Sequence, residues 1–189
     1  MDSPFINRRH WLRQTGAMGA GMAWSALASA AVYLEVEQAQ RLLLPQADAF
    51  QPRVLNLGET ELASLARHTE TQVPRRFAPR VWEALSAGKS VGWVMADRVV
   101  GKVDLIDYAL GFDRDASIVG LEILAYRESH GAEVRQAAWR GQFKGRKGTA
   151  SLRFPEEIRN ISGATLSCQH VTEGVQRLSV LAGWMKPTA

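Results

Sequence analysis

The chain has 189 residues, 46% of them hydrophobic and 22% charged, with 23 Lys and Arg against 19 Asp and Glu. That composition excludes a disordered tail, a multi-span membrane protein and a collagen-like fibre, and the length suffices for one substantial core or two small ones. The single cysteine, Cys168, excludes an internal disulfide, a paired-cysteine zinc or iron–sulfur site and a CxxCH haem attachment; His10, His68, His130 and His170 are scattered without ligand spacing, so no protein-ligated metal is expected.

The start reads Asn7-Arg8-Arg9-His10-Trp11-Leu12-Arg13. An uncharged Gly/Ala-rich stretch from Thr15 to Ala31 follows, and it contains Ala28-Ser29-Ala30. The order of basic, apolar and small-residue regions resembles a twin-arginine export signal, with cleavage expected after Ala30 and a periplasmic destination. Without Arg8, Arg9, Arg13 and Asp2 the 23 basic and 19 acidic residues become 20 and 18, a net charge of +2 on 159 residues. So small a surplus removes the electrostatic motive for binding nucleic acid.

The organisation expected from the sequence is a signal over residues 1–30, a helical and connecting segment over 31–80, and one domain over 81–189. Within 31–80, Val32 to Leu44 reads as a short helix stopped by Pro45, Val54 to Leu57 as a strand, and Glu59 to Glu70 as a helix with Leu62, Leu65 and Ala66 at helical spacing. Pro74 and Pro79 bracket a basic connector, and Val81 to Ala87 reads as a short helix or turn ended by Gly88. The period then changes. Ser90 to Val100, Val103 to Phe112 and Ile118 to Arg127 are strands, with a turn at Asp113 to Ala116, and their short connections favour an antiparallel meander. Glu133 to Trp139 is a helical turn, and Ala164, Cys168, Val171, Val175, Leu178 and Ala182 make the apolar stripe of a carboxy-terminal helix. Gly174 inside that helix costs about 1 kcal/mol against Ala, which points to close packing. The fold class is α+β: an antiparallel sheet with flanking helices.

Chemistry gathers at Ile161-Ser162-Gly163-Ala164-Thr165-Leu166-Ser167, where a loop becomes a helix. Ser162 reads as the N-cap, and Gly163 and Ala164 leave the backbone open to close approach. The first-turn N–H groups lack helical partners, the helix dipole favours negative charge there, and Thr165 and Ser167 add hydroxyls. Together these make a corner that accepts a phosphate.

That segment resembles the S-G-A-T-x-[S/T] signature of FMN-binding domains, the family that includes the flavin-carrying subunits of sodium-pumping NADH:quinone reductases and Rnf complexes. Glu128-Ser129-His130-Gly131 is similar to the family's E-[S/T]-x-G loop, and Gln142-Phe143-x-Gly145 to its Q-F-x-G; the resemblance covers about Ser90 to Leu181. It implies that FMN is the cofactor, and that a separate flavin transferase attaches it by a phosphoester to Thr165. It also implies that Glu128, Ser129 and Gly131 shape the pocket near the ring, with Trp139 and Phe143 as either ring-stacking or core aromatics. The family usually has Asp where this chain has Arg159, and that cation becomes a candidate phosphate contact.

The sequence shows no nicotinamide fingerprint after a strand and no nucleophile–base pair for hydrolysis. The function expected is therefore an exported flavoprotein that relays electrons between a membrane redox complex and a periplasmic acceptor, a carrier more than a stand-alone enzyme. A reductase of a small periplasmic acceptor and a flavin-free interaction module with the same fold are the alternatives.

Overall fold

The computed structural model describes residues 31–69, 71–128 and 130–185; the signal-like segment 1–30, Glu70 and Ser129 lie outside these described residues. One six-stranded antiparallel sheet carries the fold, in the order β1-β6-β5-β4-β3-β2. Its strands are β1 (Ala31–Val32), β2 (Ala49–Arg53), β3 (Arg80–Ser86), β4 (Lys89–Val100), β5 (Leu105–Phe112) and β6 (Ile118–Tyr126). The helices are α1 (Val36–Leu43), α2 (Glu59–Thr69), the short α3 (Ala137–Arg140) and α4 (Thr165–Trp184). This is an α+β fold with an open antiparallel sheet and flanking helices, as the sequence reading expects. The segment before β3 supplies both sheet edges, since β1 pairs with β6 and β2 with β3.

The two faces of the sheet bury different residues, because side chains alternate across a strand. Trp93, Met95 and Val99 of β4, with Tyr108, Leu110 and Phe112 of β5, join the large cluster under α2 and α4. The intervening Val94, Ala96 and Ala109 face α1, whose Val36, Ala39 and Leu43 complete a smaller cluster with Ala84 and Leu124. Small sheet residues on that face let an eight-residue helix lie close. The stripe expected on the last helix is buried throughout, from Ala164 through Cys168, Val171, Val175 and Leu178 to Ala182. Burial also pushes the Cys168 thiol above its ordinary range.

Three expectations change. Val81 to Ala87 is not a helix or turn; Arg80–Ser86 is strand β3. Val81, Glu83, Ala84 and Leu85 are all buried, so both faces are covered and the strand loses its alternating pattern. Gly88 closes a two-residue hairpin with Ala87, both at positive φ (76° and 48°), a backbone that suits the twist of the flanking strands. The strand expected at Val54 to Leu57 lies earlier, at Ala49–Arg53. Pro52 is tolerated there because β2 is an edge strand, while Leu55 and Leu57 pack on the core from coil. The helix expected from Val32 starts at Val36, because Ala31 and Val32 pair with Ala125 and Tyr126.

Gly174 has the close packing expected of it. A Cβ there would lie 2.3 Å from the Tyr108 hydroxyl and 3.0 Å from Val99 Cγ1. Gly174→Ala should therefore destabilise by about 1–3 kcal/mol through overpacking, despite an intrinsic helix gain of about 1 kcal/mol. Chemical denaturation checks this; a variant more stable than the parent would show that the contact relaxes freely.

Candidate functional site

Three segments meet at one end of the sheet: the β4–β5 turn (Gly101–Asp104), the loop after β6, and the start of α4. Each is fastened by long-range polar contacts. Glu128, just past β6, reaches the turn, and its Oε1 accepts hydrogen bonds from the backbone amides of Val103 (2.6 Å) and Asp104 (2.8 Å). The same oxygen would sit 2.6 Å from a Cβ at Gly101, so a larger residue there would push the Glu128 carboxylate off its present position. From α4, His170 places Nδ1 2.7 Å from the carbonyl of Val100 and 2.8 Å from that of Gly101, which fixes the proton on Nδ1 as a shared donor.

The loop and the helix start are joined through Tyr126. Its hydroxyl donates to the carbonyl of His130 and lies 3.0 Å from Ser167 Oγ. The tyrosine proton is used on the carbonyl, so Ser167 is the donor in the second bond. Burial, with the charges of Glu128 and Glu133 adding to it, raises the Tyr126 hydroxyl above its ordinary range, so it stays protonated and able to donate. Gly131 (φ 85°) closes over this pair: a Cβ would stand 2.6 Å from the tyrosine oxygen and 2.9 Å from Ser167 Oγ.

The helix that leaves this joint is uncapped. Ala164, not Ser162, occupies the N-cap position, and no side chain bonds the first-turn amides. The chain reaches it through a turn closed by Ala164 N–H donating to Ile161 C=O at 3.0 Å, which puts Ser162 on the exposed side, two residues too early to cap. The amides of Thr165, Leu166 and Ser167 thus belong to a first turn that has no intrahelical acceptors, and no acidic residue lies in that turn. Thr165 is exposed, and its Oγ1 accepts a hydrogen bond from Asn160 Nδ2 at 2.9 Å, which orients the hydroxyl and leaves its own proton uncommitted by that bond.

A cleft of about 430 Å³ opens in front of this helix start, lined by Lys102, Val103, Glu128, His130 and residues 163–167. That volume falls in the range of small-molecule sites, about 300–1,000 Å³. The Lys102 cation and the positive end of α4 face the same space, so an anionic group is favoured there. Val103 (77% exposed) and Leu166 (43%) offer bare apolar surface beside it. A phosphate carried on a flat, partly apolar ring system matches this donor set.

Of the residues singled out by sequence, Glu128, Gly163, Ala164, Thr165 and Ser167 line the cleft. Ser167 does so with its hydroxyl already engaged. Gly131 is buried behind the wall, Ser162 is exposed outside the lining, and Ser129 lies outside the described residues. Trp139 and Phe143 are buried core residues that stack edge to face on each other, with ring centroids 5.1 Å apart. Trp139 also donates its indole N–H to the Arg159 carbonyl at 2.9 Å, and neither ring lines the cleft. Arg159 does not line it either; it borders an adjacent depression with Gln142 and Asn160. Lys102, Asn160, Tyr126 and His170 carry site roles that sequence reading did not assign. Among the described residues no group of three or more His, Cys, Asp or Glu is placed to hold a metal, and no helix is long and apolar enough to cross a membrane.

Residues 101–179 match the family model of the FMN-binding domain, so the matched span opens at the β4–β5 turn and closes within α4, enclosing every wall of the cleft. The fold is similar to that of the crystal structure of Shewanella oneidensis NqrC, with 16% identity, a TM-score of 0.52, and coverage of 74% of this chain and 89% of that one. None of the curated proteins matches the chain.

The Glu128 clamp yields a direct expectation. Glu128→Ala should cost about 1.5–3 kcal/mol, the worth of hydrogen bonds to a charged group. It should also speed hydrogen exchange at the Val103 and Asp104 amides selectively. Unchanged exchange at those two positions would mean the clamp does not hold the turn.

Proposed function

We propose that this chain, an FMN-binding domain protein, holds FMN in the α4 cleft as an exported electron relay between a membrane redox complex and a periplasmic acceptor, with the flavin tied to Thr165 by a phosphoester. The observation that carries this reading is the exposed Thr165 hydroxyl, oriented by Asn160 at an uncapped helix start beside Lys102. When bound, FMN takes up and releases one or two electrons.

The residues divide the work of binding. The first-turn amides of α4 and the Lys102 ammonium hold the phosphate charge, and the amides need no reorganisation because no side chain competes for them. Val103 and Leu166 cover apolar ring surface. Glu128, fixed by the turn amides, and the loop around His130 set the polar edge. Attachment needs only a nucleophilic oxygen within reach of a transferase. The Thr165 O–H bond breaks, its oxygen forms a bond to the phosphorus of an activated FMN donor, and the donor's leaving group departs. The proton passes to a base on the transferase, and no oxidation state changes. A covalent link keeps the cofactor where free flavin is scarce. Arg159 stands where the family usually has Asp, beside Asn160 and outside the cleft, so it bears on recognition by the transferase more than on flavin contact. Export rests on the Arg8-Arg9 segment, which lies outside the described residues.

Co-expression with a flavin transferase, followed by a denaturing gel viewed for flavin fluorescence, tests the reading. A fluorescent band is expected from the parent chain and from Thr165→Ser, and a dark one from Thr165→Val. A dark parent band with yellow native protein would contradict the phosphoester while keeping FMN; colourless native protein would overturn the flavin reading altogether.

A further inference from the structure

We propose that a second cleft, across the β4–β5 turn from the first, binds a small carboxylate carried on a flat apolar body. The cleft measures about 520 Å³ and lies between α4, β4 and the 72–77 segment. Its central group is Arg177 of α4, only 4% exposed. The guanidinium is poorly served by the protein: Nη1 donates to the Gln72 carbonyl at a long 3.3 Å, and buried Nε has no acceptor. No carboxylate among the described residues stands within ion-pair distance of it. A buried cation in that condition is an unusual thing for a fold to keep, because each unmade charged hydrogen bond is costly.

An opposite charge that acts on Arg177 is Asp97, whose Oδ2 accepts the Tyr108 hydroxyl at 3.2 Å. Burial outweighs the pull of Arg177 and Arg98 and holds the Asp97 carboxyl above its ordinary range. Asp97 makes no ion pair with Arg177 among the described residues. Its position is fixed from beneath, because Gly174 lets the Tyr108 hydroxyl lie against α4. Arg76 and Arg98 add positive charge at the rim, where Glu173 is the second carboxylate, and Arg98 also reaches Asp107 Oδ1 at 3.3 Å. With Arg98 committed to Asp107, the cation at the centre of the lining that lacks an ion-pair partner among the described residues is Arg177.

The walls fix the rest of the ligand. Phe77 lies beneath Arg177, with the guanidinium carbon 5.8 Å from the ring centroid, and Val99 and Leu105 continue the apolar surface. A planar guanidinium takes a carboxylate through paired hydrogen bonds, and an aromatic floor suits a flat body. Inorganic anions would leave those walls bare. The place of the cleft also matters. Val100 lines it and Lys102 lines the first cleft, so two residues of chain, spanning at most about 7 Å, separate the walls. His170 and Leu166, one turn apart on α4, divide between the two in the same way. Whatever binds at Arg177 sits one hairpin's thickness from the α4 cleft.

Benzoate is the probe. Titrated into the full chain and followed by calorimetry and amide NMR, it should bind saturably, with the largest shifts around Val99, His170 and Arg177. Neutral benzamide should bind at least roughly tenfold more weakly, as should benzoate to Arg177→Met. If Arg177→Met fails to fold, the comparison of benzoate with benzamide on the parent chain decides alone. No saturable binding, equal binding of the two probes, or shifts confined to Thr165–Ser167 would overturn the proposal. None of these outcomes depends on whether FMN is bound or attached at Thr165.

Discussion

The start of α4 is where it is because Ser167, one turn into the helix, donates to a tyrosine at the end of β6. Only Gly131 allows the intervening loop to close over that bond. This buried joint sets the height and direction at which the helix emerges. Move it, and the open amides of Thr165–Ser167 no longer face Lys102. The Glu128 clamp and the His170 contact fix the opposing turn to the same frame. Cleft geometry is thus an outcome of core packing and a handful of buried polar bonds, and the mobile chemistry of a cofactor can be placed on a rigid edge.

The two faces of the sheet share the burden unequally. The α1 face is built from small residues and serves to close one side. The α4 face carries the large aromatics, and its helix extends from the candidate flavin site past Arg177 to the α2 contact. One helix therefore borders two clefts, with the β4–β5 turn as their common wall.

Much of this was legible in the sequence. The α4 stripe could be read because only one face of that helix is apolar, and β4 to β6 because their turns are short and rich in breakers. The loop-to-helix change at Ile161–Ser167 was local in sequence, so it could be read there, and the structure starts α4 at Thr165. What escaped was what local pattern does not encode. Strand β3 is buried on both faces and loses its period; β2 is a polar edge strand containing Pro52. Ser162 looked like a cap, but the Ile161–Ala164 turn moves the helix start two residues on. Trp139 and Phe143 were equally compatible with a ring site and with the core, and only the fold separates these. The joints of the site span long separations in sequence, 41 residues from Tyr126 to Ser167 and 70 from Val100 to His170, so no motif could announce them.

The account's central claim is that the uncapped start of α4, facing Lys102, receives the charged end of FMN. Comparing backbone amide NMR shifts of the chain with and without bound FMN tests it most directly. The account predicts that the largest changes fall on Thr165, Leu166 and Ser167 and on the Lys102–Val103 turn. Changes centred instead on Trp139 and Arg159, or on Arg177, with the α4 start unmoved, would contradict it.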